Sequence, residues 1–290
     1  MTVACMTGNK SQDKCIAEHL KRIYIENPCR VLPNAFWKTR DRLPGLQCTV
    51  RCAGAQGHEG KEVTELQGWS PDGLELHVLW NQSRQCDAYL QRKLEQANFL
   101  IIHNDYVAHS DHDNTHHSMP LEKQYRLVRP YFRLKHNHQH IAPYTLPEGF
   151  WMRGCNVAAD RSEFAAISNF IGLCYRDIHP SPEAVESWIK HAVFDSSLWI
   201  WIMDHDFPAA LGIAEFDGSV PEGSLEWIQV LPEYQGRGLG KALVLELLSR
   251  LKGRADFTTV SGEVDNVTNP ERLYRSCGFE GDDVWWLLRR

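Results

Sequence analysis

Between residues 224 and 251 the hydrophobic pattern changes period once, and the change predicts three elements in a row. Over residues 224–230 the side chains alternate. Leu225, Trp227 and Gln229 fall on one side and Glu226, Ile228 and Val230 on the other, which is the period of a strand. Pro232 has no N–H to give a ladder and ends it. Gly236, Gly238 and Gly240 follow at alternate positions. Then Leu243, Leu247, Leu248 and Leu251 fall on one helical stripe, stopped by Gly253.

The same reading continues through residues 148–290. Residues 151–157 read as a strand. Asp160 with Glu163 reads as a capping box ahead of a helix carrying Phe164, Ile167, Ile171 and Tyr175. Ser181-Pro182 opens a second helix, a cap followed by proline at the first position. Residues 198–203 and 209–215 form a pair of strands. After the central strand and helix come a strand over 257–264, a short helix over 270–277 and a last strand over 284–288.

Residues 1–147 are less regular. A helix over 10–25 has Ile16, Leu20 and Ile23 on one face and ends at Asn27-Pro28. Phe36 and Trp37 make an aromatic anchor near a turn. Turns are expected over 56–60 and 70–73, strands over 74–79, 98–102 and 131–136, a helix over 83–96 and a polar loop over 103–117. Pro143, Pro147 and Gly149 mark a connector, so the expected division is an α+β domain over 1–147 and a second domain over 148–290.

The strand, glycine turn and helix have a chemical meaning. The first turn of a helix has backbone N–H groups without partners and the positive end of the dipole, and glycines let an anion approach them closely. A Walker A loop is excluded: only three residues separate Gly236 from Gly240, and Ala242 follows Lys241 where a hydroxyl is required. The dinucleotide fingerprint fails too, because Lys241 stands where its last glycine belongs.

What remains is Val-x-Pro-x-x-Gln-x-x-Gly-x-Gly, as Val230, Pro232, Gln235, Gly238 and Gly240. This resembles motif A of the GNAT superfamily of N-acyltransferases. Leu273-Tyr274-Arg275-Ser276-Cys277-Gly278-Phe279 resembles its motif B. The family's upstream Asn position is occupied by Val267, with Asn266 and Asn269 on either side. The order of elements over 148–290 matches the GNAT fold as well, so the resemblance covers the second half of the chain. Asn27-Pro-Cys29, Phe36-Trp-Lys38 and the run from Tyr131 to His136 resemble a bacterial subset in which an N-terminal α+β region precedes the acyltransferase domain. The fold class expected is therefore α/β (α+β): a mixed central sheet flanked by helices, with an additional N-terminal α+β domain.

By resemblance, acetyl-CoA is the cosubstrate. It would lie along Ile228, Gln229 and Val230 of the strand, Gln235, Gly236, Arg237, Gly238, Leu239, Gly240 and Lys241 of the loop, and Asn266, Asn269 and Tyr274 beyond it. The chemistry requires a base for an ammonium acceptor, donors for the developing oxyanion and an acid for the leaving thiolate. Glu226 is the candidate base, directly or through water. The Val230 N–H polarises the thioester, and Tyr274 protonates the sulfur. Each has a plainer reading: Glu226 as a structural carboxylate, Tyr274 as packing, Gln235 as a brace of the loop, Cys277 as a small packed residue. Trp199, Trp201, Trp285 and Trp286 read as core ahead of walls of an acceptor pocket. Glu215, Asp217 and Glu222 read as a solvated turn ahead of a cation-attracting group.

Composition narrows the classes. The chain of 290 residues is 43% hydrophobic, enough for a substantial core, and it has no apolar run long enough to span a bilayer. The N-terminus shows no basic segment leading into a long apolar core, so no signal peptide is expected and the location expected is cytoplasmic. Nine Cys without a Cys-x-x-Cys read as reduced thiols. Net charge is −6, with 13 Lys and Arg against 21 Asp and Glu over residues 150–290, which argues against a nucleic-acid partner. His103, His109, His112, His116 and His117 cluster ahead of His136, His138 and His140. His112 and His116 have i, i+4 spacing, and the last three would share a strand face, but the acidic setting reads as a solvated loop and no metal is expected.

The function expected is transfer of an acetyl group from acetyl-CoA to a primary amine, on a small molecule or a peptide, by a monomer or homodimer. The alternative is an acyl-CoA sensor or scaffold without turnover.

Overall fold

The computed structural model describes residues 10–53, 62–108, 124–175 and 177–290. The chain folds as two compact units. Unit 1 comprises residues 1–133, 261–267 and 281–290; unit 2 comprises 134–260 and 268–280. The division between the two units falls within β5 (Leu127–His136), and the last strand belongs to unit 1.

Unit 1 opens with α1 (Lys10–Glu26), whose Ile16, Leu20, Ile23 and Tyr24 are buried. Asn27 and Pro28 end it as expected, and the short helices α2 (Pro28–Val31) and α3 (Phe36–Arg40) follow. Its sheet runs β1 (Gln47–Cys52), β2 (Val63–Trp69), β3 (Glu75–Asn81), β4 (Phe99–His103) and β11 (Glu280–Arg289) in spatial order. All neighbours are antiparallel except β3 and β4, which are parallel and joined by α4 (Ala88–Gln96). Trp69, Leu76, Leu79, Leu90, Leu100 and Leu288 pack into one core there. The helix expected over 83–96 begins only at Ala88. Asp87 caps it, accepting from the Leu90 N–H at 2.7 Å, and Arg84 holds a left-handed φ of 61° that no helix tolerates. The expected loop after His103 contains α5 (Asn104–Ala108).

In unit 2 the spatial order is β6 (Phe150–Gly154), β7 (Trp199–Asp204), β8 (Phe207–Asp217), β9 (Glu222–Val230) and β10 (Phe257–Glu263). The first four are antiparallel neighbours, and β10 runs parallel to β9 after crossing over through α8 (Leu239–Leu251). The sheet is mixed and has helices on both faces. Gly212 of β8 lets α8 lie close: a Cβ there would meet Leu243 at 3.0 Å and Leu247 at 3.2 Å. On the other face lie α6 (Ser162–Cys174) and α7 (Pro182–Trp188), with Phe170 edge-on to Trp201 and Trp188 stacked on Trp227. α7 opens as read from sequence, its Ser181 hydroxyl accepting from the Ala184 N–H at 3.2 Å. The chain's last helix is α9 (Pro270–Ser276).

Three expectations are corrected. Glu163 makes no capping box: it is buried, accepts from Trp201 Nε1 at 2.9 Å and pairs with Arg153 at 2.8 Å, while Asp160 alone takes the Ser162 N–H. Glu215, Asp217 and Glu222 are not a solvated turn but are buried on β8 and β9, where Thr259 Oγ1 donates to Glu222. His136, His138 and His140 share no strand face. β5 ends at His136, and His138 sits at φ 58°, buried between the Ala255 carbonyl (3.0 Å) and Thr258 Oγ1 (2.7 Å). His109, His112, His116 and His117, and the turn over 56–60, lie outside the described residues. Among the described residues no His, Cys, Asp and Glu cluster has the form of a metal site, and no helix is long and apolar enough to cross a membrane. Trp199, Trp201 and Trp285 are core; Trp286 is half-buried.

Candidate active site

The site is built on the second half of β9. Opposite β8 the pairs run Val230 with Ala210 through Trp227 with Ile213, and then Leu225 with Ala214. Glu226 is left as the extra residue of a β-bulge. The period-two reading therefore holds for Trp227 and Gln229, which both meet Tyr175, but breaks at Glu226, whose Oε1 accepts from Ser224 Oγ at 3.0 Å.

On its other edge β9 pairs with β10 only from Glu222 to Leu225. Past Leu225 the two strands part. The Leu231 N–H donates to the Ala209 carbonyl at 3.1 Å, and successive N–H groups of a strand point to opposite edges. The Val230 N–H is accordingly directed away from β8, toward the edge that has lost its neighbour.

Beyond Val230 the chain turns through Pro232–Tyr234. Gln235 braces the turn, its Nε2 donating to the Val230 carbonyl at 3.2 Å. Gly236 and Gly238 take φ of 77° and 83°, conformations that a side chain resists, and a Cβ at either would meet no atom within 4 Å. The space before the loop is open. The first helical bond of α8 runs from the Ala242 N–H to the Gly238 carbonyl, so the N–H groups of Leu239, Gly240 and Lys241 precede it at the positive end of a 13-residue helix. Lys241 is exposed and its charge reaches Cys277; Arg237 lies over the Tyr234 ring, 5.2 Å from its centre. Glycine turn, unpaired helix donors and a cation fit a pyrophosphate group.

Tyr274 on α9 is buried. Burial pushes its phenol far above the ordinary value, and Tyr175, Cys277 and Glu226 push in the same direction. Glu226 and Tyr274 are thus electrostatic neighbours. Tyr175, at the end of α6, was read from sequence only as one face of a helix. It accepts from Gln229 Nε2 at 2.8 Å, stands edge-on to Trp227 and is itself raised, chiefly by burial. Ile228 pairs with Gly212, and the Gln229 side chain is buried against Tyr175. Asn269 caps α9, its Oδ1 accepting from the Arg272 N–H at 3.3 Å; Asn266 lies in the loop after β10, its N–H bonded to the Glu263 carbonyl.

Comparison with known proteins agrees with this geometry. Residues 196–281 match the family model described as an acetyltransferase (GNAT) domain. Three solved structures are similar over nearly the whole chain. A GCN5-related N-acetyltransferase from Sphaerobacter thermophilus has a TM-score of 0.64 at 15% identity, covering 99% of this chain and 95% of that one. A GNAT-family acetyltransferase from Colwellia psychrerythraea has 0.59 at 11%, covering 99% and 100%. A tandem GNAT protein from the clavulanic acid biosynthesis pathway has 0.55 at 11%, covering 100% and 98%. No curated protein matches the chain. The fold is that of the acyl-transferring GNAT enzymes. Residues 196–281, in the second half of the chain, form a GNAT acetyltransferase domain.

Proposed function

We propose that the chain transfers an acyl group, acetyl in the first instance, from acyl-CoA to a primary amine of a small molecule or peptide. The observation that carries this reading is the end of β9, where a bulged carboxylate electrostatically coupled to a buried phenol and a strand N–H directed at a parted edge precede an open helix N-terminus.

The thioester supplies an activated acyl carbon. An alkyl ammonium with a pKa of about 10.4 does not attack it, and Glu226 takes that proton, directly or through water. The Val230 N–H stabilises the carbonyl oxygen as negative charge develops there. The amine nitrogen bonds to the acyl carbon and releases its second proton to solvent as the C–S bond breaks, while Tyr274 donates its phenol proton to the departing thiolate sulfur and regains one from solvent. A phenol held protonated by burial is in the right state for this at every working pH. The N–H groups from Gly236 to Lys241 bind the pyrophosphate, with Lys241 and Arg237 adding charge. Asn269 serves by capping α9. Gln235 acts by holding the turn, and Ile228 and Gln229 by setting the course of the strand. No step calls for a metal. The eight described cysteines are all free thiols, which supports a reducing, cytoplasmic setting.

The test is calorimetric titration with acetyl-CoA of the wild type and a Gly238→Glu variant, followed by a thiol-release screen of amines. Wild-type binding that is lost in the variant, with thiol release that depends on an amine, is the expected result. A wild type that binds no short acyl-CoA overturns the reading. Binding without thiol release for any amine assigns the chain to the sensors.

A further inference from the structure

The strand pattern that builds the site in unit 2 occurs a second time in unit 1. In unit 2 four antiparallel pairs lead back from Val230 and Ala210 to Trp227 and Ile213; Glu226 is then skipped, and Leu225 pairs with Ala214. In unit 1 four pairs lead back from Asn81 and Glu65 to Val78 and Gly68; His77 is then skipped, and Leu76 pairs with Trp69. The bulge falls at the same step. The parallel neighbour also stops at the same step: Leu225 with Val260 in unit 2, Leu76 with Leu100 in unit 1. The residue after each strand donates back in the same way, Leu231 to Ala209 and Gln82 to Thr64. A crossover helix follows each strand, α8 in one unit and α4 in the other. Even the bulged side chains are held alike, by the residue two before: Glu226 by Ser224 at 3.0 Å and His77 by Glu75 at 3.2 Å.

What differs is what fills the opening. The Gln82 N–H points to β2, so the Asn81 N–H points to the parted edge, as the Val230 N–H does in unit 2. There it meets Tyr106 of α5, whose hydroxyl accepts from it at 2.9 Å. The Asn81 side chain closes the next turn, its Nδ2 donating to the Gln85 carbonyl at 2.7 Å. At the N-terminus of α4, where α8 has Gly238, stands Asp87, whose carboxylate takes the Leu90 N–H. A carboxylate on those donors meets the same need as a bound phosphate and repels one. Residues 82–87 contain no glycine.

We infer that unit 1 is a second copy of the acyltransferase fold whose cleft is filled by its own side chains, Tyr106 at the strand edge and Asp87 at the helix, so that the chain has one acyl-CoA site, in unit 2. The second clause rests on the function proposed above; the first does not. Hydrogen exchange of the full chain, with and without acetyl-CoA, separates them. Without ligand the Asn81 amide exchanges slowly, and Tyr106→Phe speeds it by about tenfold, the equivalent of one hydrogen bond. Asp87→Ala does the same at Leu90. The β2 amides of Leu66 and Gln67 serve as the check that each variant is folded. Acetyl-CoA slows exchange over residues 226–241, leaves 76–90 unchanged and binds with a stoichiometry of one. Slowing over 76–90, a stoichiometry of two, or amides at Asn81 and Leu90 as fast in the wild type as in the variants overturns the inference. If acetyl-CoA slows neither segment, the function of unit 2 is refuted, and the two amides still decide whether unit 1 is closed.

Discussion

At the scale of single residues, the clearest contrast is between two glutamates, one read from sequence as a base and the other as a helix cap. Glu226 is half-buried at a bulge and linked to Ser224; Glu163 is buried between Trp201 and Arg153. Glu226→Gln removes a proton acceptor and little else. It is expected to lower kcat/KM about 10²-fold at neutral pH. The deficit should shrink as pH approaches the pKa of the amine, where the acceptor arrives already deprotonated. A pH–rate profile parallel to wild type throughout would rule Glu226 out as the base. Glu163→Ala leaves the Trp201 N–H and the Arg153 guanidinium without their acceptor and is expected to cost about 2–4 kcal/mol of stability by denaturant titration. Glu163→Gln keeps an acceptor for Trp201 and should cost less. Sequence read Glu163 as a helix cap because Asp160 three residues earlier fits the pattern. The partner that claims it, Trp201, is 38 residues away, and no local spacing reports that.

At the scale of elements, the longer helices and the glycine loop were largely legible because their signals are local, while the short α3 and α5 were not. The face of α1, the Ser181-Pro182 start and the passage from β9 into α8 each depend on residues within a few positions. β1 and β2 were not read at all. β2, Val-Thr-Glu-Leu-Gln-Gly-Trp, is buried at four consecutive positions through Trp69 and so lacks strict alternation, and β1 carries Arg and Gln among its cysteines. The bulge at Glu226 was invisible for a related reason: an extra residue shifts the period without changing composition. In the loop, Gly238 is required by its φ of 83° rather than by crowding, since a Cβ there meets nothing within 4 Å. Two substitutions separate these causes. Gly238→Asn, which tolerates the left-handed region, should cost a few tenths of a kcal/mol in stability, and Gly238→Val about 1–2 kcal/mol. Equal losses in thermal melts would point to space instead of conformation.

At the scale of the whole molecule, the strands of the N-terminal half leave room for a worn second copy of the fold, but the sequence shows no second glycine cradle, because the glycines that advertise it in unit 2 are replaced in unit 1 by Asp87 and its neighbours. Register, not composition, carries the likeness. The filled cleft has a consequence for the stability of the chain. Burial lifts the Tyr106 phenol to about 12, and Cys86 beside it also to about 12. Tyr144, bonded to Glu246, is lifted to about 12 but lies nearer solvent and counts for less. In the unfolded chain a phenol ionises near ~10 and a thiol near ~8.5. Between those values and 12 the folded chain binds more protons than the unfolded one. The free energy of unfolding therefore falls as pH rises, by about 1.4 kcal/mol per pH unit for each proton fully held. The contribution is intact below pH 8 and is lost progressively above it, first through Cys86 and then through the phenols. Urea titrations from pH 8 to 11 should show this decline. Tyr106→Phe should be less stable than wild type at pH 8, having lost the acceptor for Asn81, yet decline less steeply above pH 10, so that the two curves converge. Parallel curves would mean that Tyr106 is open to water, and the cleft of unit 1 with it.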